Sequence, residues 1–152
     1  MPPKTKSNKT IKDDNKTLEK KWGSSVLETG WTGIPNILIE RQRALNLSST
    51  EINILLILLK FWWDSDQPPF PSKATIAEMI NREESTIRRN MASLEKKGLI
   101  QRKSVYQEKG GQTSNEYILD GLVSTLKKES ESLQKLKNER KEEDARLRRG
   151  IK

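Results

Sequence analysis

Hydrophobic positions are concentrated in one central stretch of the chain, residues 31–119, which lies between two polar extensions. Within this stretch, residues 52–63 form an almost continuous apolar run. The run follows the sequence SSTE, a capping-box pattern with Ser48 as N-cap and Glu51 reaching back to it. We therefore predict a helix after Ser48 that is either buried at the centre of the domain or shares one face with another chain.

Two shorter helices are predicted on either side of this run. Pro35 suits the first turn of a helix over about 35–44, because its missing N–H costs nothing there. The proline-rich residues 64–71 cannot continue a helix and are interpreted as a loop, with room for one short strand. After this loop, Ser72 is the expected cap of a helix over about 73–80.

A third short helix and a hairpin complete the central stretch. The helix is predicted from Glu84 to Lys97, with Gly98 as a left-handed C-cap. Residues 99–106 and 115–119 are interpreted as the two strands of a hairpin with a turn-rich tip. The helical positions that recur on one inward face are Ile87, Met91 and Leu94.

The order helix, short helix, tight turn, helix and hairpin is that of a winged helix-turn-helix. Residues 71–100, PSKATIAEMINREESTIRRNMASLEKKGLI, resemble the winged-helix modules of bacterial regulators of the GntR and MarR types. They look closer still to helix-turn-helix domains carried by plasmids, phages and integrative elements, and the segments WWDSDQPPFPS and SNEYILDGLV add to that likeness. The resemblance covers residues 31–123. It implies a mainly α fold with a small β-hairpin, to which the charge-rich sequence after it adds a long C-terminal helix.

The outer face of the third helix carries the residues that we expect to read DNA bases. A helix in the major groove presents polar and cationic side chains to base edges, and Arg is the commonest bidentate reader of guanine. Ala92 and Ser93 are small enough to allow close approach to the groove. The alternative is a solvated face whose arginines pair with Glu84 or Glu95. The residues assigned to base reading are Ser85, Thr86, Arg88 and Arg89.

Phosphate contacts are expected around this helix and at the hairpin tip, which would be the wing. The start of the 73–80 helix favours an anion, because its backbone N–H groups and dipole point there. Asn81 tolerates the left-handed conformation that the turn requires. An ordinary N-cap and an ordinary hairpin turn remain the plain alternatives. The expected phosphate and wing residues are Ser72, Lys73, Arg82, Lys96, Lys103, Lys109, Gly110, Gly111, Gln112 and Thr113.

The two extensions have different predicted structures. Residues 1–30 are rich in Lys and poor in apolar residues, which predicts a basic, mostly disordered arm. Residues 120–152 are predicted to form a long charged helix that Asp120 can cap. This helix either dimerises or docks on a protein partner through a damaged heptad seam, or remains solvated and rich in charge pairs. The leucines of the seam are Leu119, Leu122, Leu126, Leu133 and Leu136.

Composition narrows the chemistry that the chain can perform. The 152 residues carry a net charge of +8 and include neither His nor Cys. This excludes Cys/His zinc sites, disulfides and an imidazole base. Adjacent acidic pairs such as Glu83-Glu84 are interpreted as surface charge. We therefore predict a binding protein, with no catalytic residue, metal or cofactor. The positive excess is spread over all three parts, so net charge is only a supporting argument for DNA.

These observations predict a sequence-specific double-stranded-DNA-binding protein, a dimeric transcriptional regulator of a mobile genetic element. One alternative is a DNA-binding protein for plasmid or phage replication initiation or partition. The other is a winged-helix protein-interaction module that uses the apolar 52–63 run. Trp31, Trp62 and Trp63 are interpreted as core or interface anchors. The sequence shows no membrane-length apolar stretch and no signal peptide, so the expected location is the cytoplasm, at the nucleoid.

Overall fold

Seven helices and one β-hairpin make up the part of the chain that the computed structural model describes. This part comprises residues 8–107 and 111–150, with side chains described over 14–105 and 115–150. The elements are α1 (Asn8–Trp22), α2 (Ser24–Glu28), α3 (Asn36–Glu40), α4 (Ser49–Lys60), α5 (Lys73–Ile80), α6 (Glu84–Lys96), β1 (Gln101–Gln107), β2 (Gly111–Ile118) and α7 (Asp120–Arg148).

The chain divides into two compact units, Met1–Gly33 and Ile34–Lys152. In the first unit, where a mostly disordered arm was expected, the structure contains α1 and α2. The sequence of α1 has no Gly or Pro and is rich in the good helix former Lys. Trp31 is 60% exposed, so it is not a core residue. The limits 1–30, 31–119 and 120–152 of the three expected parts stay predictions.

Helix α4 is the central helix of the second unit. The capping box forms as predicted, with the Ser48 hydroxyl 3.1 Å from the Glu51 N–H and the Glu51 carboxylate 3.2 Å from the Ser48 N–H. Most apolar residues of α4 are buried in this chain's own core, which is the first of the two predicted arrangements, while Ile52, Leu56 and Leu59 are half-buried. The buried residues of the core are Leu38, Ile54, Leu55, Ile57, Leu58, Ile76, Ala77, Ile87, Met91, Leu94, Leu99, Ile100, Tyr117, Leu119, Leu122 and Leu126.

The tryptophans that follow α4 differ from one another. Trp62 is half-buried and packs against the core, as expected. Trp63 is 81% exposed, so its interpretation as a core residue is wrong. The reason is that α4 ends at Phe61, its C-cap, and the chain beyond it no longer follows the helical spacing that buried the preceding residues.

A tight turn joins α5 to α6. The Ser72 hydroxyl caps α5 by accepting from the Thr75 N–H at 3.0 Å, as predicted. Asn81 then adopts the left-handed conformation, with φ at 53°. The Arg82 N–H donates to the Ala77 carbonyl at 2.9 Å, which closes the end of α5. This bond pattern is that of a Schellman motif, and it allows α6 to begin only a few residues later.

Helix α3 is shorter than the predicted 35–44. It ends at Glu40, and Pro35 is its N-cap rather than its first helical residue. The chain continues as turns to Asn46, which is left-handed with φ at 53°. The Leu47 N–H donates to the Gln42 carbonyl at 2.9 Å. The turn after α3 therefore ends with the same type of hydrogen bond as α5.

The hairpin of β1 and β2 is antiparallel, with Gln101 opposite Ile118 and an irregularity after Val105. Strand β2 begins at Gly111, earlier than predicted, because pairing continues towards the tip. The Tyr117 N–H donates to the Pro69 carbonyl at 2.9 Å, so the proline-rich loop lies beside β2. The two segments that resemble mobile-element proteins are therefore neighbours in the fold.

Helix α7 follows the hairpin directly. Its N-cap is Leu119, which makes no side-chain capping bond, so the prediction that Asp120 caps the helix is wrong. Asp120 lies in the first turn, where its charge favours the helix N-terminus. Arg41 Nε is 2.7 Å from Glu129 Oε2, and this ion pair fastens α7 to the turn after α3. No helix in the described part of the chain is long and apolar enough to cross a membrane.

The proposed seam of α7 is divided between two environments. Leu119, Leu122 and Leu126 are buried in the chain's own core, so they cannot pair with a partner helix while the domain is folded. Leu133 is half-buried and Leu136 is 52% exposed. Of the five seam leucines, Leu133 and Leu136 are therefore the two that remain available for pairing or docking.

Candidate nucleic-acid interface

Buried residues determine which side of α6 faces outward. Ile87, Met91 and Leu94 are in the core, so the opposite side of the helix is available to a ligand. Helical spacing brings the four predicted base-reading residues to the N-terminal half of this side. Of these, Ser85, Arg88 and Arg89 are exposed and Thr86 is half-buried.

The arginines of this face are only weakly held. Arg88 Nη2 lies 3.8 Å from Glu84 Oε2, and both side chains are at least half exposed. Exposed ion pairs of this kind contribute little to stability. Arg89 Nη2 is 3.4 Å from Thr86 Oγ1, a long hydrogen bond. Both guanidinium groups can therefore turn towards a ligand at small cost.

Glu51 is a functional candidate that the sequence did not reveal. Lys97 Nζ is 2.8 Å from both of its carboxylate oxygens, and the Ser93 hydroxyl donates to Oε2 at 3.3 Å. Ser93 was expected to face the groove, which is wrong, because this bond turns it towards α4. Ala92 remains exposed as the small residue of the outer face. The capping box indicated the local role of Glu51, but no sequence signal connects it with Lys97.

Burial by itself raises the pKa of Glu51, and hydrogen bonds from Lys97 and Ser48 more than offset it. The pKa of Glu51 therefore lies below its ordinary value of 4.5. A carboxyl with a lowered folded-state pKa contributes stability above its unfolded pKa and loses it as the pH falls through the folded value.

We accordingly expect the stability difference between the wild type and Glu51→Gln to narrow as the pH falls from 7 to 3, with most of the change below pH 4.5. The reason is that protonated Glu51 no longer attracts Lys97, just as a neutral glutamine does not. Urea unfolding of both proteins at several pH values measures this. Parallel stability curves over the whole range would show that the charge of Glu51 is irrelevant.

The described phosphate candidates lie on several elements. Ser72 is exposed at the start of α5, and Lys73 beside it is half-buried. Arg82 is exposed in the turn, Lys96 on the outer side of α6 and Lys103 on β1. Lys109 and Gly110 lie outside the described residues. Gly111, Gln112 and Thr113 belong to β2, but nothing of the last two side chains is described.

Some of the Lys and Arg side chains form ion pairs within the protein, whereas others are available to bind phosphate. Arg102 Nη2 is 2.7 Å from Glu95 Oε2, and the Arg102 N–H also donates to this carboxylate at 3.2 Å. These bonds hold the pKa of Glu95 below its ordinary value and tie β1 to α6. Arg41 and Lys97 are likewise occupied. Within the described ranges, no ion pair holds Lys73, Arg82, Arg89, Lys96 or Lys103.

Comparison with known proteins identifies the centre of this fold. Residues 45–100 match the family described as a helix-turn-helix domain. The matched segment contains α4, α5 and α6 completely, so these three helices are similar to a helix-turn-helix domain, as their sequence predicted. With the hairpin of β1 and β2 and the long helix α7, the fold is the expected winged helix-turn-helix.

The solved structures that are similar to the chain include two regulators. One is a possible transcriptional regulator from Methanosarcina mazei Go1, with 20% identity, a TM-score of 0.46, and coverage of 70% of this chain and 85% of that one. The other is the transcriptional regulator PA3341, with 19% identity, a TM-score of 0.39, and coverage of 82% and 79%. Both scores are low, so the winged fold rests on the element order and the hairpin. No curated protein matches the chain.

Proposed function

We propose that this protein binds double-stranded DNA in a sequence-specific manner and regulates transcription. The observation that carries this proposal is the outward face of α6, which presents Ser85, Arg88 and Arg89 directly after the helix-turn-helix turn. In this motif the second helix enters the major groove with its N-terminal residues against base edges. Arg88 and Arg89 are suited to guanine, and Ser85 and Thr86 to either base type.

Cations around α6 would fix the position of the domain on the duplex. Arg82, Lys96 and Lys103 are exposed, and Ser72 and Lys73 stand at the N-terminus of α5, where a phosphate is favoured. The wing residues Lys109, Gly110, Gly111, Gln112 and Thr113 are proposed to approach a minor groove or further phosphates. Glu83 and Glu84 would repel phosphates, which weakens binding to DNA that offers no matching bases.

The biological setting is proposed on sequence resemblance alone. The segments at 62–72 and 114–123 favour a regulator of a mobile genetic element, acting at the nucleoid. Replication initiation or partition is the alternative use of the same DNA-binding face. A homodimer on an inverted repeat is the expected assembly, with the distal part of α7, including Leu133 and Leu136, as the pairing surface or as a dock for another protein.

Selection from a random DNA pool at physiological salt tests the proposal. We expect an enriched motif. We also expect a binding constant that falls steeply with salt, because Lys and Arg side chains that contact phosphates displace counterions from the DNA. With about four phosphate contacts per domain, the slope of log K against log salt should be about −3 to −4 for one bound domain and about twice that for a homodimer on an inverted repeat.

The symmetry of the enriched motif and the places where it occurs distinguish a transcriptional regulator from a replication or partition protein. One palindrome over a promoter indicates a regulator, whereas iterated sites near an origin indicate replication or partition. No enriched motif, together with a flat response to salt, would contradict DNA binding and favour the protein-interaction alternative.

A further inference from the structure

A buried polar network connects α4 with the C-terminal half of α6. At its centre is Glu51, the one charged residue that is buried among those the structure describes. Its carboxylate accepts hydrogen bonds from Ser93 in α6 and from Lys97, the C-cap of α6 one turn later. Lys97 Nζ also donates to the Asn46 carbonyl, in the turn before α4. The end of α6 is thus bonded to the start of α4 and to the turn that precedes it.

These bonds restrict a motion that apolar packing restricts poorly. The contacts of Ile87, Met91 and Leu94 hold α6 against the core, but hydrophobic attraction is non-directional and tolerates small rotations about the helix axis. Hydrogen bonds to Ser93 and Lys97 are directional, and both side chains lie at the border between the buried and the outer side of α6. Together they define the rotation of α6 about its own axis.

We propose that Glu51 is a positioning residue for sequence recognition, setting the rotation of α6 and with it the aim of Ser85, Arg88 and Arg89. This inference rests on the proposed DNA-binding function. Productive base contacts require side chains within about 0.5 Å and 10–20° of the right geometry. Long, flexible lysines that meet phosphates as point charges tolerate larger errors. Loss of the network should therefore reduce discrimination between sequences while leaving non-specific affinity intact.

The test compares Glu51→Gln with Glu129→Gln as its matched control. Glutamine keeps the shape of Glu51 and can still serve in a capping box, but it removes the charge that holds Lys97. Glu129→Gln makes the same change in the ion pair between α7 and Arg41, away from α6. The quantity measured is the ratio of the Kd for a scrambled duplex to the Kd for the selected duplex, well below the unfolding temperature of every variant.

We expect Glu51→Gln to lower this ratio at least about tenfold, the scale of one lost bidentate base contact. The Kd for scrambled DNA and the salt slope should stay as in the wild type, because no phosphate contact is removed. Glu129→Gln should retain the full ratio. Lys97→Arg, which preserves the ion pair with Glu51, should also retain most of it.

A second variant serves as a control for the possibility that Glu51→Gln does not fold. The combination Glu51→Gln with Lys97→Met leaves no unpaired buried charge, so it replaces the single variant if that one unfolds. Unfolding of both, or an unchanged ratio in either, overturns the positioning role. A wild type that binds DNA without any preference contradicts the proposed function itself, which separates that failure from the failure of this inference.

Discussion

Gly121→Ala should lower the free energy of unfolding by about 3 kcal/mol, at the upper end of the range for overpacked sites. A Cβ at this position would lie 1.9 Å from the Gly98 carbonyl oxygen and 3.0 Å from its carbon. Both are backbone atoms in the turn that ends α6, so they cannot rotate away as a side chain would. The first turn of α7 would have to move off the end of α6, and Leu122 with it.

Thermal and urea unfolding of the wild type and Gly121→Ala measure this effect, and a fall in Tm of about 10–20 °C is expected for a domain of this size. Two other glycines serve as controls. Gly98→Ala meets nothing within 4 Å but has φ at +74°, so only the left-handed strain of about 1 kcal/mol applies. Gly33→Ala has its nearest neighbour, the Trp31 ring, at 3.7 Å and should change little. If Gly121→Ala and Gly98→Ala lower the free energy of unfolding equally, the first turn of α7 can move away from Gly98 at little energetic cost, and the prediction is wrong.

The prediction for Gly121 also shows what sequence reasoning misses. Glycine in a helix is normally unfavourable by about 1 kcal/mol relative to alanine, so its presence in the first turn of α7 calls for a cause. The cause is the backbone of Gly98, at the far end of the hairpin in sequence. No pattern within α7 identifies such a neighbour.

Features that depend on a few adjacent residues were predictable. The Ser48 and Ser72 caps, the left-handed Asn81 and the left-handed Gly98 each follow from chemistry within about five residues of the position concerned. The periodicity of α6 was sufficient to separate its buried side from its outer side. The candidate base-reading face was therefore available from sequence, although its contact with DNA stays a prediction.

Features that depend on distant partners were not predictable. The seven-residue spacing of leucines is the same whether a helix pairs with a second copy or packs on its own domain, and only the fold places Leu122 and Leu126 in the core. Likewise, a sequence does not show which lysines and arginines form ion pairs within the fold and which are left exposed. The structure distinguishes Lys97 and Arg102, which hold elements together, from exposed cations such as Lys96.

Arg89→Ala should reduce binding to the selected duplex by about tenfold to a hundredfold, equivalent to about 1–3 kcal/mol for a bidentate base contact. Arg89 is exposed on α6, and the long hydrogen bond from its guanidinium to Thr86, at 3.4 Å, is weak enough to be exchanged for guanine. Arg88→Ala should act in the same way at another base position. In both variants binding to scrambled DNA should change little, since the phosphate contacts remain.

Lys96→Ala is the matched control on the same exposed side of α6. It should weaken binding to every sequence by a similar factor and make the salt slope shallower by about 0.9 for each bound domain, because each domain loses one phosphate contact and the counterion released there. Lys109→Ala in the wing should behave like Lys96→Ala. Titrations of selected and scrambled duplexes at several salt concentrations separate the two kinds of effect, since base reading changes preference and phosphate contact changes the slope. If Arg88→Ala and Arg89→Ala both leave preference for the selected site unchanged, α6 does not read bases through its arginines, and the docking of this helix in the major groove is wrong.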